Sequence, residues 1–198
     1  MSEPKIFTAG EWGARPPRAR GVELNPAEGI VVHHTADPNR APGEGDGEQA
    51  AAFALARRIQ SFHMDDPERR WSDTGQHFTI SRGGIILEGR HGALAAAREG
   101  KVVRGAHASS VDLYNQRWFG IELEGINIDG FFVTGDQWQS LIELCAWLSF
   151  WGRFAPGNII GHKEILPGHT QCPGRMMERL PDLRERVAER RSQIEGDV

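Results

Sequence analysis

Apolar residues along this chain recur in short runs and in longer amphipathic stretches, which separates candidate strands from candidate helices. Three short runs, residues 29–35, 118–125 and 158–162, predict buried strands because β-branched and other apolar residues dominate a strand-like length. In the second run the side chains alternate, which places Glu122 and Glu124 together on the face opposite its apolar residues.

A hairpin is predicted between residues 76–82 and 85–90. Gly83 and Gly84 separate these two runs, and glycine readily adopts the positive φ angles that two-residue turns require. Residues 91–104, which follow the hairpin, show no periodicity and are predicted to be a surface excursion.

Helical periodicity occurs in three stretches. Residues 48–63 predict an amphipathic helix after a loop at residues 36–47, whose Pro, Gly, Asp and Asn content is typical of irregular structure. Residues 134–151 predict the most regular helix, opened by Thr134, and a final helix covers residues 174–191. The apolar stripe of the first helix consists of Ala52, Phe53, Ala56, Ile59 and Phe62, and that of the second consists of Trp138, Leu141, Ile142, Cys145, Leu148 and Trp151.

Strands and helices in this order predict an α/β fold in which helices cover the faces of a sheet. A chain of 198 residues can bury a core of its own, so we assign residues 1–198 to a single domain. Within it, residues 1–28 are predicted to form an irregular arm anchored by Trp12. Residues 174–198 are predicted to form a charged C-terminal helix and tail.

Composition excludes some functions without identifying one. With 23 Lys and Arg against 27 Asp and Glu, the net charge of -4 gives no reason to expect a nucleic-acid partner. We find no signal peptide and no apolar run of bilayer-spanning length, so we expect synthesis in the cytoplasm and no membrane insertion. Of the two cysteines, Cys145 is predicted to be a core residue and Cys172 a reactive one, and a disulfide between them is the weaker interpretation.

Two histidine positions and a cysteine stand where metal ligands are expected. His33 and His34 end the first strand, His162 ends the third, and Cys172 lies among turn-forming residues in the next loop. Two imidazoles and a thiolate fill three of the four tetrahedral positions of zinc, and an open fourth position is typical of a catalytic ion. Because alternation sends adjacent strand residues to opposite faces, a single zinc would take one of the paired histidines, and periodicity does not choose between them.

Two simpler interpretations compete with a catalytic zinc site. A histidine at the end of an apolar strand, such as His33 taken alone, is more often a hydrogen-bonded core residue. A structural zinc site would need a fourth protein ligand, and His169 is the nearest candidate in sequence. We expect His169 to be exposed.

A zinc ion with an open position favours hydrolysis of an amide, and this reaction needs a group that transfers protons. Glu122 is the carboxylate that we expect to do so, with Glu124 as the second candidate. If both lie on one face, like-charge repulsion raises the pKa of one of them. The alternative is that both glutamates are solvent-facing strand residues.

Motifs spread over residues 11–180 carry a resemblance to a known family. They are Glu11-Trp12-Gly13-Ala14-Arg15, His33-His34-Thr35, Gln76-His77-Phe78, Glu88-Gly89-Arg90, Gly105-Ala106-His107-Ala108, Gly120-Ile121-Glu122, Gly161-His162 and Thr170-Gln171-Cys172-Pro173-Gly174. Each is weak alone, but in this order the chain resembles the N-acetylmuramoyl-L-alanine amidase type 2 and peptidoglycan recognition protein family.

This resemblance implies a central mixed β-sheet flanked by α-helices and a zinc amidase domain with one Zn2+ per chain. The implied reaction is hydrolysis of the amide between the lactyl group of N-acetylmuramic acid and L-alanine. The implied zinc ligands are His33, His162 and Cys172. Glu122 matches a glutamate that transfers protons in some branches, and Thr170 matches a position near the developing oxyanion in others.

The resemblance also implies substrate-binding residues. His107 matches a groove histidine, and His34 and Asn115 are further candidates; the alternatives are that His107 caps a loop and Asn115 forms a turn. Gln76 stands where active recognition proteins have a tyrosine, which moves proton transfer to the glutamate. The longer segment at residues 91–104 prevents any transfer of a preference for diaminopimelate or lysine in the stem peptide.

Two functions are therefore expected from different classes. The first is a zinc amidase, and the second is a recognition module that binds peptidoglycan fragments without cutting them. The presence of Cys172 favours the enzyme, because relatives without activity commonly lack the thiolate ligand. Both functions imply a peptidoglycan or muropeptide partner, and we expect a monomer. A phage-type lysin, a recycling enzyme and a protein exported by another route all remain open.

Overall fold

The computed structural model describes residues 3–19, 23–126, 128 and 133–196. Its strands are β1 (Ile6–Phe7), β2 (Leu24–Pro26), β3 (Gly29–His34), β4 (Phe78–Ile80), β5 (Ile86–Glu88), β6 (Lys101–Val103), β7 (Trp118–Leu123) and β8 (Ile159–Gly161). Its α-helices are α1 (Gly45–Asp65), α2 (Ala93–Arg98), α3 (Asp112–Arg117), α4 (Gly135–Gly152), α5 (His162–Ile165) and α6 (Met176–Gly196).

Six strands form one mixed sheet in the order β1-β5-β4-β7-β3-β8. The pairs β4-β7, β7-β3 and β3-β8 are parallel, whereas β4 and β5 pair in antiparallel fashion. The predicted α/β fold with a central mixed sheet is confirmed. Parallel strands covered on both faces favour continuous apolar runs, which is why β3 is buried over nearly its whole length.

Helices cover both faces of this sheet. Val32 on β3 packs in the same core cluster as Leu141 and Leu148 of α4, and α6 adds Leu183 to that cluster. Leu87 of β5 points the other way and packs with residues of α1. Because neighbouring strand residues face opposite sides, the side chain that follows Val32 lies on the face away from α4.

The long helices largely follow the predicted periodicity. Helix α1 begins at Gly45, inside the predicted loop, and α4 begins after Thr134, whose side chain accepts a hydrogen bond from the Gln137 amide in a capping box. Cys145 is fully buried in the core, as predicted. Phe62 and Trp151 were placed in the apolar stripes wrongly, since they are 52% and 47% exposed.

Residues 91–104 are not a surface excursion. They form α2 and β6, and Leu94, Ala97 and Val102 are buried in the main core. The prediction for the arm at residues 1–28 was also partly wrong, because β2 lies in the arm and pairs with β6. These elements are too short to show a hydrophobic period, and their burial depends on packing against distant segments.

The hairpin of β4 and β5 is confirmed, but its loop is longer than a two-residue turn. The amide of Gly84 donates to the carbonyl of Ser81, and Gly84 itself has a φ of +80°. The carboxylate of Glu48 holds this loop from α1, because it accepts hydrogen bonds from the Gly83 amide and the Ser81 hydroxyl. Polar contacts with a distant helix therefore set the turn geometry.

Trp12 anchors the N-terminal arm as predicted. Its side chain is 1% exposed, and its indole Nε1 donates to the carbonyl of Glu88 at 2.7 Å. Among the described residues, none of the helices has both the length and the apolar composition of a membrane span.

Candidate zinc site

Three ligand-type side chains meet at one edge of the sheet. His33 lies near the end of β3, His162 begins α5 directly after β8, and Cys172 lies in the loop beyond α5. Their ligand atoms all lie within 4.8 Å of one another. The parallel strands β3 and β8 are neighbours, so their carboxyl ends bring the two histidines together, with ring centroids 4.5 Å apart.

The fold resolves which of the paired histidines joins this group. His33 follows Val32 and points away from α4, and its Nδ1 lies 3.7 Å from Cys172 Sγ. His34 contributes its backbone instead, since its amide N–H donates to Cys172 Sγ at 3.3 Å. The loop that carries Cys172 passes the end of β3 on the side of the His33 ring, so His33 rather than His34 joins the ligand group.

The donor set fits a zinc ion. In the part of the chain that is described, His162 Nε2 is buried and has no hydrogen-bond partner, which is costly unless a metal or water satisfies it. Two nitrogens and one sulfur match the ligand preference of zinc. His169 is exposed, as predicted, and the grouped ligand atoms of the described residues come from His33, His162 and Cys172 alone. The arrangement is consistent with an open coordination position rather than a four-ligand structural site.

Burial sets the protonation of this group in the absence of metal. Burial raises the pKa of the Cys172 thiol to about 12; the nearby Glu122 adds to the rise, and the His34 amide opposes it. Burial also lowers the pKa of His33 well below its usual value and that of His162 more modestly. Neutral imidazoles are ready to bind a metal, whereas the thiol must lose its proton when the metal enters.

Glu122 lies beside His33 on the adjacent strand, because the register of β3 and β7 places the two residues opposite each other. Burial raises the pKa of Glu122 to about 8, and the nearby Asp37 adds to the rise. The predicted rise is therefore present, but its main cause is burial, and the like charge comes from Asp37 rather than Glu124. A carboxyl group with this pKa can both accept and donate a proton near neutral pH.

Glu124 does not reach the cavity that contains these residues. Strand β7 ends at Leu123, so the alternation that predicted a shared face stops there. The Glu124 carboxylate instead accepts hydrogen bonds from Arg40 Nε at 2.6 Å and from the Arg82 amide at 2.7 Å. Because it is only 4% exposed, the solvent-facing alternative is also wrong for this residue.

A cavity of about 500 Å³ opens over the three ligands. Thr170 lines it, and its hydroxyl accepts a hydrogen bond from the Cys172 amide at 3.0 Å. The cavity walls include the three expected ligands, the first-choice proton-transfer and oxyanion residues and the three substrate-binding candidates: His33, His162, Cys172, Glu122, Thr170, His34, His107 and Asn115.

Two of the substrate-binding candidates have their polar atoms engaged within the protein. The Asn115 side chain accepts hydrogen bonds from the amides of His107 and Ala108 and donates to the carbonyl of Ser109. His107 has contacts at both ring nitrogens. Both residues hold the loop that forms one wall of the cavity.

Gln76 also lines the cavity, at 1% exposure. Its Nε2 donates to Thr79 Oγ1 at 3.0 Å, whereas its Oε1 is buried and has no partner within the described part of the protein. An amide oxygen in this state can accept a hydrogen bond from a bound ligand or water.

The rim of the cavity also contains residues that the sequence did not single out. Trp71 packs against His63 in a tilted arrangement with ring centroids 4.7 Å apart, and the guanidinium of Arg69 lies 5.9 Å from the centre of the Trp71 ring. The available signal was weak, consisting of an Arg and a Trp between the end of α1 and the hairpin. Such a rim presents both an apolar surface and a positive charge to a ligand.

Comparison with known proteins agrees with this geometry. The family model described as N-acetylmuramoyl-L-alanine amidase matches residues 23–175. The chain belongs to this amidase family. It is 28% identical over 181 residues to peptidoglycan-recognition protein LB of Drosophila melanogaster, covering 86% of this chain and 64% of that protein's length.

Solved structures within the family share the fold. A mutant form of Drosophila PGRP-LB in complex with tracheal cytotoxin has a TM-score of 0.67 and 28% identity, covering 85% of this chain and 88% of that one. N-acetylmuramoyl-L-alanine amidase LysC from Clostridium intestinale URNW has a TM-score of 0.64 and 26% identity, covering 93% of this chain and 98% of that one. The family therefore includes proteins described as amidases and proteins described as recognition proteins.

Proposed function

We propose that this protein is a zinc-dependent N-acetylmuramoyl-L-alanine amidase, which hydrolyses the amide between N-acetylmuramic acid and L-alanine in peptidoglycan or muropeptides. The observation that carries the proposal is the His33, His162 and Cys172 group at the base of a cavity that also contains Glu122. Three protein ligands beside an ionisable carboxyl group are the arrangement that a hydrolytic zinc site requires.

Each cavity residue has a role in this proposal. When bound, zinc supplies Lewis acidity that polarises the substrate carbonyl and lowers the pKa of water. Glu122 takes a proton from the attacking water and delivers it to the L-alanine nitrogen as the C–N bond breaks. The Thr170 hydroxyl donates to the oxyanion that develops on the carbonyl oxygen. His34, Arg69 and Trp71, which line the same cavity, contact the substrate.

The second candidate is a recognition module that binds peptidoglycan fragments without cleaving them. Two points favour it: a mutant form of a relative has been solved in complex with tracheal cytotoxin, and Gln76 lines the cavity where the family resemblance implies a tyrosine in active recognition proteins. Glutamine cannot exchange a proton at neutral pH, so under this alternative the cavity would bind the ligand and leave it intact.

Mass spectrometry of reaction products separates the two candidates. The zinc-loaded protein is incubated with intact sacculi and with defined muropeptides, each with and without a chelator. The amidase releases stem peptides that begin with a free L-alanine amino group, and the chelator stops the release. Binding of muropeptides by the zinc-loaded protein without any cleavage would support the recognition module instead.

The proposed function also implies a domain organisation, an oligomeric state and a partner. We expect residues 1–198 to act as a single domain and as a monomer with one zinc per chain. Peptidoglycan or its fragments are the partner, as tracheal cytotoxin is for the relative noted above. Comparing intact sacculi with soluble muropeptides distinguishes a lytic enzyme from a recycling enzyme, because only the former needs activity on the intact wall.

A further inference from the structure

Both ring nitrogens of His107 are engaged inside the protein. Its Nδ1 lies 3.1 Å from Nε2 of His33, and its Nε2 lies 3.0 Å from the backbone carbonyl oxygen of Trp118. The His107 side chain is only 8% exposed, so water competes little for these contacts. Because both of its polar side-chain atoms are engaged, His107 has no ring nitrogen left to bind a substrate while these contacts persist.

The carbonyl of Trp118 determines which ring nitrogens of His107 and His33 carry a proton. A carbonyl oxygen can only accept, so His107 Nε2 must carry the hydrogen that it donates to Trp118. The neutral ring then has a lone pair at Nδ1, which accepts the Nε2–H of His33. His33 is consequently left with its lone pair at Nδ1, the atom that lies 3.7 Å from Cys172 Sγ.

Asn115 and Gly120 hold His107 in this position. Asn115 Oδ1 accepts hydrogen bonds from the amides of His107 and Ala108, which fixes the loop on which the ring is carried. On the other side the ring packs directly on Gly120, where an added Cβ would lie 2.5 Å from His107 Cγ. The glycine in the central strand thus leaves the space that the imidazole fills.

We propose that His107 is a positioning residue, which selects the tautomer of His33 and aims its Nδ1 at the metal, and is not primarily a contact for the substrate. The proposal rests on the zinc site described under the proposed function. Partners of this kind, hydrogen-bonded to the second nitrogen of a metal-binding histidine, commonly set both ring orientation and metal affinity.

The first test measures zinc affinity by competition with a chromogenic chelator in the wild type and in His107→Phe, His107→Gln and His63→Phe. Phenylalanine keeps an aromatic ring at this position but cannot accept a hydrogen bond from His33, so we expect zinc to bind about 10- to 100-fold more weakly. Glutamine offers an acceptor oxygen and should recover most of that affinity. His63 lines the same cavity, but its contacts within the described part of the chain are with Phe62, Trp71 and Gly75 rather than with the three ligands, so His63→Phe should bind zinc as the wild type does.

The second test observes the tautomers directly and needs no variant, so it stands even if His107→Phe fails to fold. Long-range proton–nitrogen NMR spectra of the zinc-loaded wild type should show Nε2–H on both His33 and His107, with zinc on His33 Nδ1. A proton on Nδ1 of His107, or zinc on Nε2 of His33, would overturn the inference.

The outcomes also separate this inference from the proposed function. A folded His107→Phe protein that keeps wild-type zinc affinity but loses muropeptide binding would make His107 a substrate contact and refute the positioning role alone. A wild-type protein that binds no zinc would refute the proposed function and this inference together.

Discussion

Cys172 Sγ lies 3.7 Å from His33 Nδ1, although 139 positions separate the two residues in the sequence. The contact forms because β3 and β8 are parallel neighbours, and the loop after α5 returns over the end of β3. The amide of His34 donates to the same sulfur, so the strand end also orients the thiol.

This contact predicts the effect of Cys172→Ser. Serine is a poorer zinc ligand than a thiolate, so we expect the purified variant to retain little zinc and no amidase activity. The loop position of Cys172 predicts an unchanged fold. Metal analysis per chain, circular dichroism and peptide release measure the three quantities. A variant with full zinc content and activity would remove Cys172 from the set of ligands.

Glu122→Gln should keep zinc and fold but lower turnover by about 100-fold or more, the usual contribution of a general acid or base. The matched control is Glu124→Gln on the same segment, which we expect to retain zinc-dependent turnover in the folded protein. Because Glu124 is hydrogen-bonded to Arg40 and to the Arg82 amide, its substitution should instead cost about 1–3 kcal/mol of unfolding free energy. Steady-state kinetics and urea unfolding of both variants check the assignment. If Glu124→Gln lost turnover and Glu122→Gln lost only stability, Glu124 would be the proton-transfer residue and Glu122 the structural one.

Acid should destabilise the fold through Glu48. Burial alone would raise its pKa, but hydrogen bonds from Arg40, Ser81 and the amides of Gly43 and Gly83 lower the pKa to about 2. A depressed folded-state pKa means that ionised Glu48 stabilises the fold fully above its ordinary pKa of 4.5, and that this contribution disappears as pH falls toward 2.

The size of this acid effect is on the order of 1–3 kcal/mol, from the free energy equivalent of a pKa shift. Urea unfolding of the wild type between pH 7 and pH 3 should show the loss, and Glu48→Gln should be less stable at pH 7 but lose less on acidification. Equal slopes of unfolding free energy against pH in the two proteins would contradict the assignment. Asp46→Asn, at an exposed position near the start of α1, is the control and should follow the wild type.

Thiol labelling should distinguish the two cysteines. Cys145 is fully buried in α4, whereas Cys172 lines the cavity. We expect the zinc-loaded protein to react with no thiol reagent while folded, the chelator-treated protein to react slowly at Cys172, and the unfolded protein to react at both residues. Cys145→Ala should leave the chelator-dependent reaction unchanged. Labelling of Cys172 at the same rate with and without zinc would place this residue outside the metal site.

The sequence alone determined the strands and helices that can be recognised from the periodicity of consecutive residues. The apolar runs of β3 and β7 and the Thr134-capped periodicity of α4 predicted the centre of the fold, because strand and helix periods are written in consecutive residues. It also determined the chemical types at the site, since two imidazole positions and a thiol at turn-flanked strand ends match the ligands of zinc.

Tertiary structure decided what depends on distant neighbours. The path of the Cys172 loop places the His33 ring, and not the His34 ring, beside the thiol. Arg40, 84 positions away in the sequence, binds Glu124 outside the cavity that Glu122 lines. The tertiary structure also buried Leu94, Ala97 and Val102 within residues 91–104, whose short elements gain stability only by packing on the rest of the core. Side-chain direction at a strand end and burial of a short segment are set by long-range contacts, and no local pattern encodes them.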